Sequence, residues 1–180
     1  LMQPNRQCAA ATTANLSAAY NSGAKTLTNN STQQALSIDS VTLAVNSYVL
    51  VKNQSTSSQN GVYIVTNVGS NSTNWVLTRD SNLNTSAEFI ASRTSFNCYW
   101  VTSGSANAKT IWCLDINKNS FTLDSSNVVF QNAFEQCVRV TPGDGIVGLY
   151  KAKTSEAVYF RYFEQNVYYV WATASPCLAT

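Results

Sequence analysis

Apolar residues in this chain recur at every second position over short runs, and each run is closed by a cluster of Asn, Ser, Gly or Asp. A period of two is that of a strand, whose successive side chains point to opposite faces of a sheet, so the pattern predicts an all-β fold. It places strands over Leu36 to Asp39, Tyr48 to Lys52, Gly61 to Asn67, Asn74 to Arg79, Glu88 to Ala91, Cys98 to Thr102, Thr110 to Asp115, Ser120 to Leu123 and Val128 to Gln131. Neighbours in Val62-Tyr63-Ile64-Val65-Thr66 and Trp75-Val76-Leu77-Thr78 should face opposite ways, and Val49 and Val51 should share a face. Gln59-Asn60-Gly61 is the strongest hairpin cue, because Asn-Gly accepts the positive φ values of tight turns. It would join Tyr48–Lys52 to the next strand through the polar loop Asn53 to Ser58.

Residues 1–24 are rich in Ala, Ser, Thr and Asn without amphipathic pattern, and read as an extended lead-in to a β domain over residues 25–131. Composition shifts near Asn132 to Glu135, after which Pro142-Gly143-Asp144-Gly145 predicts a turn. Two further strands, Ala157 to Phe163 and Val167 to Thr173, are joined through Glu164-Gln165-Asn166 and predict a C-terminal hairpin within residues 132–180. Both of its faces carry aromatics, so it is either enclosed by the fold or presents one face to a partner or ligand. Tyr159, Tyr162, Tyr168, Tyr169 and Trp171 are the candidate assembly or ligand surface. The fold class expected is all-β, an antiparallel β-sandwich or β-barrel-like domain with a C-terminal aromatic β-hairpin. Trp75, Trp100, Trp112 and Trp171 are read as core side chains rather than as sugar-stacking platforms.

Composition adds a constraint on the surface. Charged residues make up 11% of the 180, against about a quarter in typical soluble domains, so neutral Ser, Thr, Asn and Gln must carry solvation. The net charge of +2 is scattered along the chain, with no basic cluster to bind nucleic acid. No apolar run approaches the roughly 20 residues of a membrane-spanning helix, and no membrane insertion is expected.

With no histidine in the chain, Ser-His-Asp and Cys-His nucleophile systems are excluded, and an enzyme would have to rely on carboxylates or lysine. Asp39, Asp80, Asp115, Asp124 and Asp144 stand mostly where strands end and are expected to cap turns through local hydrogen bonds. Thr141-Pro142-Gly143-Asp144-Gly145 lacks the Lys-Ser/Thr ending of a phosphate loop. The five cysteines form no CxxC pair, so neither a metal site nor any cofactor is expected. Cys98 and Cys113 fall on neighbouring strands, and Cys137 and Cys177 bracket the C-terminal segment. Either these pair as disulfides or they are buried thiols. Cys8 is left over, free or intermolecular. Asn-x-Ser/Thr sequons at Asn15, Asn29, Asn30, Asn53, Asn71 and Asn84 are expected by chance at this composition.

Several blocks then follow in order: Ala11-Thr12-Thr13-Ala14-Asn15-Leu16, Ile38-Asp39-Ser40-Val41-Thr42-Leu43, Val49-Leu50-Val51-Lys52-Asn53-Gln54, Gln59-Asn60-Gly61-Val62-Tyr63, Trp75-Val76-Leu77-Thr78-Arg79-Asp80, Thr110-Ile111-Trp112-Cys113 and Val128-Val129-Phe130-Gln131. Their order, over Ala11 to Gln131, resembles a repeated domain of tailed-phage tail fibres, tail-tip proteins and head fibres. Ser40 departs from that pattern, where glycine is usual, as does Asn46-Ser47-Tyr48, where Gly-Asp-Arg is usual. The resemblance implies a virion structural or receptor-binding protein without catalytic residues. Its partners would be other virion proteins and copies of itself, a trimer if fibre-like, and a host surface glycan is a further candidate. A glycan-binding adhesin and a capsid decoration or minor capsid protein are the alternatives. A polysaccharide-cleaving enzyme is disfavoured by size and by the lack of an evident carboxylate pair. Lys52 and Arg79 are expected to guard a sheet edge or to pair with Asp39 or Asp80.

Overall fold

The computed structural model describes residues 6–91 and 98–133, with short strands at 137–138, 149–150, 162–164 and 167–169. The chain divides into two compact units, Pro4–Gln131 and Leu1–Gln3 with Asn132–Thr180. Among the described residues strand predominates, in mixed and antiparallel sheets.

In the larger unit the strands are β1 (Arg6–Cys8), β2 (Ala10–Ala11), β3 (Ala18–Asn21), β4 (Thr26–Asn29), β5 (Ser37–Ile38), β6 (Val41–Thr42), β7 (Tyr48–Val51), β8 (Gly61–Asn67), β9 (Val76–Arg79), β10 (Cys98–Val101), β11 (Thr110–Asp115) and β12 (Val129–Asn132). A six-stranded sheet runs β2-β7-β8-β9-β4-β3, a four-stranded sheet runs β1-β10-β11-β12, and β5-β6 is a separate hairpin. The stretch read as a lead-in is built into both larger sheets: β1 pairs parallel with β10 and β2 parallel with β7. The sheets are therefore mixed rather than purely antiparallel. Small residues make this entry available, since Ala10 and Ala11 bury completely and let the backbone approach closely.

The six-stranded sheet is covered on both faces. Ala11, Leu50 and Val62 join Tyr99, Val101 and Phe130 of the four-stranded sheet in one core, whereas Ala10, Val49, Val51, Tyr63, Val65, Leu27 and Leu77 join Leu36, Ile38 and Leu43 in a second. Val49 and Val51 thus share a face, with Leu50 on the other. Burial on both sides is why β7 reads as an almost continuous apolar run. Trp75 is a core residue, while Trp100 and Trp112 are only half-buried.

Three local expectations are corrected. Glu88–Ala91 is not a strand but part of a short helix, α1 (Ser86–Ala91). It opens on reciprocal caps: Thr85 Oγ1 accepts the Glu88 N–H at 3.2 Å, and Glu88 Oε2 accepts the Thr85 N–H at 2.9 Å. Ser120–Leu123 is turn and coil, pulled in because Phe121 and Leu123 bury their side chains in the first core. Asn60-Gly61 is not a tight turn either: Asn60 is extended (φ −63°, ψ 153°) and closes a 3-10 turn at Ser57–Gln59, and Gly61 already begins β8. The tight hairpin lies instead at Asp39-Ser40 between β5 and β6, where both residues have positive φ (51° and 64°), as a type I′ turn requires.

In the smaller unit β13 (Cys137–Val138) pairs antiparallel with β14 (Leu149–Tyr150), and β15 (Tyr162–Glu164) with β16 (Val167–Tyr169). The latter pair falls within the hairpin expected over Ala157–Phe163 and Val167–Thr173, with Tyr162 opposite Tyr169 and Phe163 opposite Tyr168, while residues 157–161, 165–166 and 170–173 lie outside the described residues.

Candidate functional site

The side chains that stand out in the sequence blocks converge on one buried polar network. Thr12, just after β2, hydrogen bonds Asn53 Oδ1 at 3.0 Å and accepts the Lys52 N–H at 2.9 Å. Gln54 exchanges two hydrogen bonds with the backbone of Leu16, at 2.7 and 3.3 Å. Asn60 is the centre: its Oδ1 accepts the Gln54 N–H at 2.9 Å, its Nδ2 donates to the Val128 carbonyl at 3.0 Å, and its own carbonyl accepts Arg79 Nη1 at 2.8 Å. Arg79 also donates to the Ser58 carbonyl at 2.8 Å and to the Tyr20 hydroxyl at 3.1 Å. Its guanidinium lies 5.0 Å from the Tyr63 ring centre and 5.5 Å from that of Tyr20. Arg79 is 2% exposed and sits on β9, an interior strand, so it neither guards an edge nor pairs with Asp39 or Asp80. A Cβ on Gly61 would lie 2.2 Å from Arg79 Nη1, so glycine there makes room for the guanidinium.

Of the aspartates, Asp39, Asp80 and Asp124 are engaged over long range rather than chiefly as local caps. Asp39 accepts the Ala106 and Asn107 N–H groups at 2.9 and 2.8 Å and the Asn107 side-chain amide at 3.0 Å. Asp80 binds Arg6 through both oxygens, at 2.7 and 3.1 Å, and alone keeps a local cap, on the Asn82 N–H at 3.1 Å. Asp124 accepts the Tyr20 hydroxyl at 2.6 Å and pairs with Lys25. Lys52, away from any edge guard, lies over Trp112 at 4.1 Å from the ring centre. Among the described residues no group of three or more His, Cys, Asp or Glu is placed to hold a metal ion.

Burial raises the Asp39 carboxyl, but hydrogen bonds from Ala106, Asn107 and Ser105 outweigh it and hold the group below its ordinary value. For Asp124 burial likewise acts upward, and Lys25, Tyr20 and the field of Arg79 reverse it. A carboxyl lowered in the fold adds stability that is fully present above the unfolded value of about 3.9 and is lost as pH falls through the folded value. The urea midpoint is therefore expected to decline below about pH 4. In an Asp39→Asn, Asp124→Asn double variant that decline should be shallower, as denaturation at stepped pH would show.

Cys98 and Cys113 are joined as a disulfide between directly opposed positions of β10 and β11, with Cα atoms 4.3 Å apart. Cys8 is not available for an intermolecular bridge: it is fully buried, and burial, helped by the Asp80 carboxylate, pushes its thiol up to about 12. Asn29, a nominal sequon, is 3% exposed and held by its own turn. Of the candidate surface, Tyr162, Tyr168 and Tyr169 fall on β15 and β16, whereas Tyr159 and Trp171 lie outside the described residues. Cys137 is on β13, and Cys177, like Thr141–Gly145, lies outside them as well.

Among the described residues of the larger unit, polar grooves open at two places. One, of about 320 Å3, is bordered by Asn15, Ser17, Asn30, Ser55, Thr56 and Gln59. The other, of about 430 Å3, lies between the end of β11, the 120–127 turn and Val129 of β12. Neither is legible in the pattern of residues along the chain. Compared with protein-family models, curated proteins and solved structures, the chain matches none.

Proposed function

We infer that the chain is a non-catalytic structural module of a virus particle, of the tail-fibre, tail-tip or head-fibre kind, serving assembly and host attachment. The observation that carries this reading is the backbone at the two places where the sequence departs from the phage pattern. Ser40 and Asn46 stand where that pattern has glycine, and both have φ values in the left-handed region, 64° and 70°. Glycine adopts that region without strain, and Asn tolerates it better than most residues. The backbone demand that would select glycine is thus present at both positions although the residue is not.

Further support comes from the network around Asn60, which ties together the blocks containing Thr12, Gln54, Arg79 and Val128. Residues that carry the resemblance are engaged in holding the fold, as in a scaffold whose working surface lies elsewhere. The Cys98–Cys113 bond suits an oxidising, extracellular setting. Against catalysis stand the engagements of Asp39, Asp80 and Asp124. The finer architecture in this reading is a β-sandwich of the two larger sheets, with the aromatic hairpin around β15 and β16 as assembly surface. Copies arranged as a homo-oligomer, a trimer in a fibre, would turn weak contacts into avidity.

Truncation after Gln131 tests the role of the hairpin. The shortened chain is expected to lose incorporation or attachment, and normal particles carrying it would remove that role. Density or an antibody label on intact particles reads the module assignment itself. A second reading, an adhesin acting directly on host glycans, is favoured by the larger polar groove.

A further inference from the structure

The larger groove has an uncommitted set of hydrogen-bonding atoms. Asp115 Oδ2 accepts Gln131 Nε2 at 3.3 Å, and its other oxygen is left over. Asn117 Oδ1 accepts the Asn119 N–H at 3.1 Å, and Asn127 Oδ1 accepts the Ser57 hydroxyl at 2.6 Å, so both carboxamide NH2 groups stay available. The hydroxyls of Ser120 and Ser125 have no partner among the described residues, and Val129, 39% exposed, gives the groove an apolar side. A carboxylate acceptor, two amide donors, two hydroxyls and an aliphatic patch therefore line one concavity.

Charge and shape narrow what fits. Among the described residues no Lys or Arg lines the groove, and the Asp115 carboxylate repels anions, which disfavours phosphate and acidic sugars. Calcium takes six to eight oxygens, usually with several carboxylates, and one is offered here. Flat aromatic ligands would find no ring to stack on. Sugar hydroxyls both donate and accept, so neighbouring hydroxyls can give protons to Asp115 while taking them from Asn117 and Asn127. The C–H face of the ring meets Val129 and Ile116.

We propose that this groove binds a neutral pyranose of a host surface glycan. The proposal deepens the attachment reading above and rests on it for the source of the ligand. With no aromatic platform and an open mouth, each site is weak, with Kd of order 1 mM, and attachment depends on several copies acting together.

The test is an amide chemical-shift titration of the full chain with glucose, galactose, mannose and N-acetylglucosamine, with glucuronate and N-acetylneuraminate as acidic arms. At least one neutral sugar is expected to shift residues 115–117 and 125–129 and to saturate in the millimolar range, with the acidic sugars about tenfold weaker or silent. Asp115→Asn should raise Kd about tenfold. Ser125→Trp, at an exposed position, should block the groove while leaving the urea midpoint unchanged, and it carries the test if the first variant loses its fold. Silence with every neutral sugar at about 50 mM, well above the expected Kd, shifts centred elsewhere, or unchanged binding in both variants would overturn the proposal. The particle label above reads the module assignment independently: a labelled particle with a silent groove removes only this site, whereas an unlabelled particle removes the module reading and leaves any sugar binding unexplained by it. On particles, Ser125→Trp should lower adsorption without lowering incorporation, which separates a surface glycan from free sugar as the ligand.

Discussion

Arg79→Ala is expected to destabilise the protein by about 3–5 kcal/mol, the scale of breaking a buried charged network. Two carbonyls, of Asn60 and Ser58, would lose their donor in a site closed to water, and each such orphan costs roughly 1–3 kcal/mol. The Tyr20 hydroxyl would lose its link to Arg79, and Tyr63 its cation over the ring. Lysine cannot restore this, because one ammonium does not span two carbonyls and a phenol as a planar fork does. Arg79→Lys is therefore expected to cost at least half as much as alanine. Urea denaturation of the two variants beside the parent measures both, and a loss below about 1 kcal/mol for alanine, the ordinary cost of a surface change, would mean that the network is not what holds β8 and β9 to the 57–60 turn.

Removing the cross-strand bond with Cys98→Ala and Cys113→Ala is expected to cost about 3 kcal/mol, the loop-entropy figure for a closed loop of this size. At a slope of roughly 2 kcal/mol/M this lowers the urea midpoint by about 1–2 M. Reductant should bring the parent to the same midpoint and leave the double variant unmoved. Non-reducing digestion should recover a peptide pair containing Cys98 and Cys113, and its absence would sink the assignment. Native Cys8 should resist alkylation throughout, since its thiol is buried and protonated.

β8 and β11 were legible because they run to seven and six residues, and β7 and β10 because apolar and aromatic side chains crowd a short run bounded by polar loops. A four-residue run such as Glu88–Ala91 carries no usable period, and there the local signal was the cap: Thr85 and Glu88 stand three apart, the spacing of a capping box. β2 was hidden by size, as alanines bury without announcing themselves, and β1 by being only three residues long with two of them polar. Arg79 was misread because a charged residue in a strand suggests an edge, and its partners are the carbonyls of Ser58 and Asn60, which no side-chain pattern encodes. The same holds for Asp39, whose partners lie about 68 residues on. Asp39-Ser40 escaped as a tight turn for lack of the glycine that usually marks one. The groove between β11 and β12 was invisible because its polar atoms come from segments that look like any other Ser- and Asn-rich loop.

Because Arg6–Cys8 lies beside Tyr99–Val101, synthesis must pass Val101 before β1 can complete its pairing. Until then β1 lacks its sheet neighbour, although Ala10–Ala11 can already pair with Val49–Leu50, and loop closure over that distance is slow. A nascent chain arrested before Cys98 should leave Arg6–Cys8 open to protease, so that a segment made early in this domain docks late.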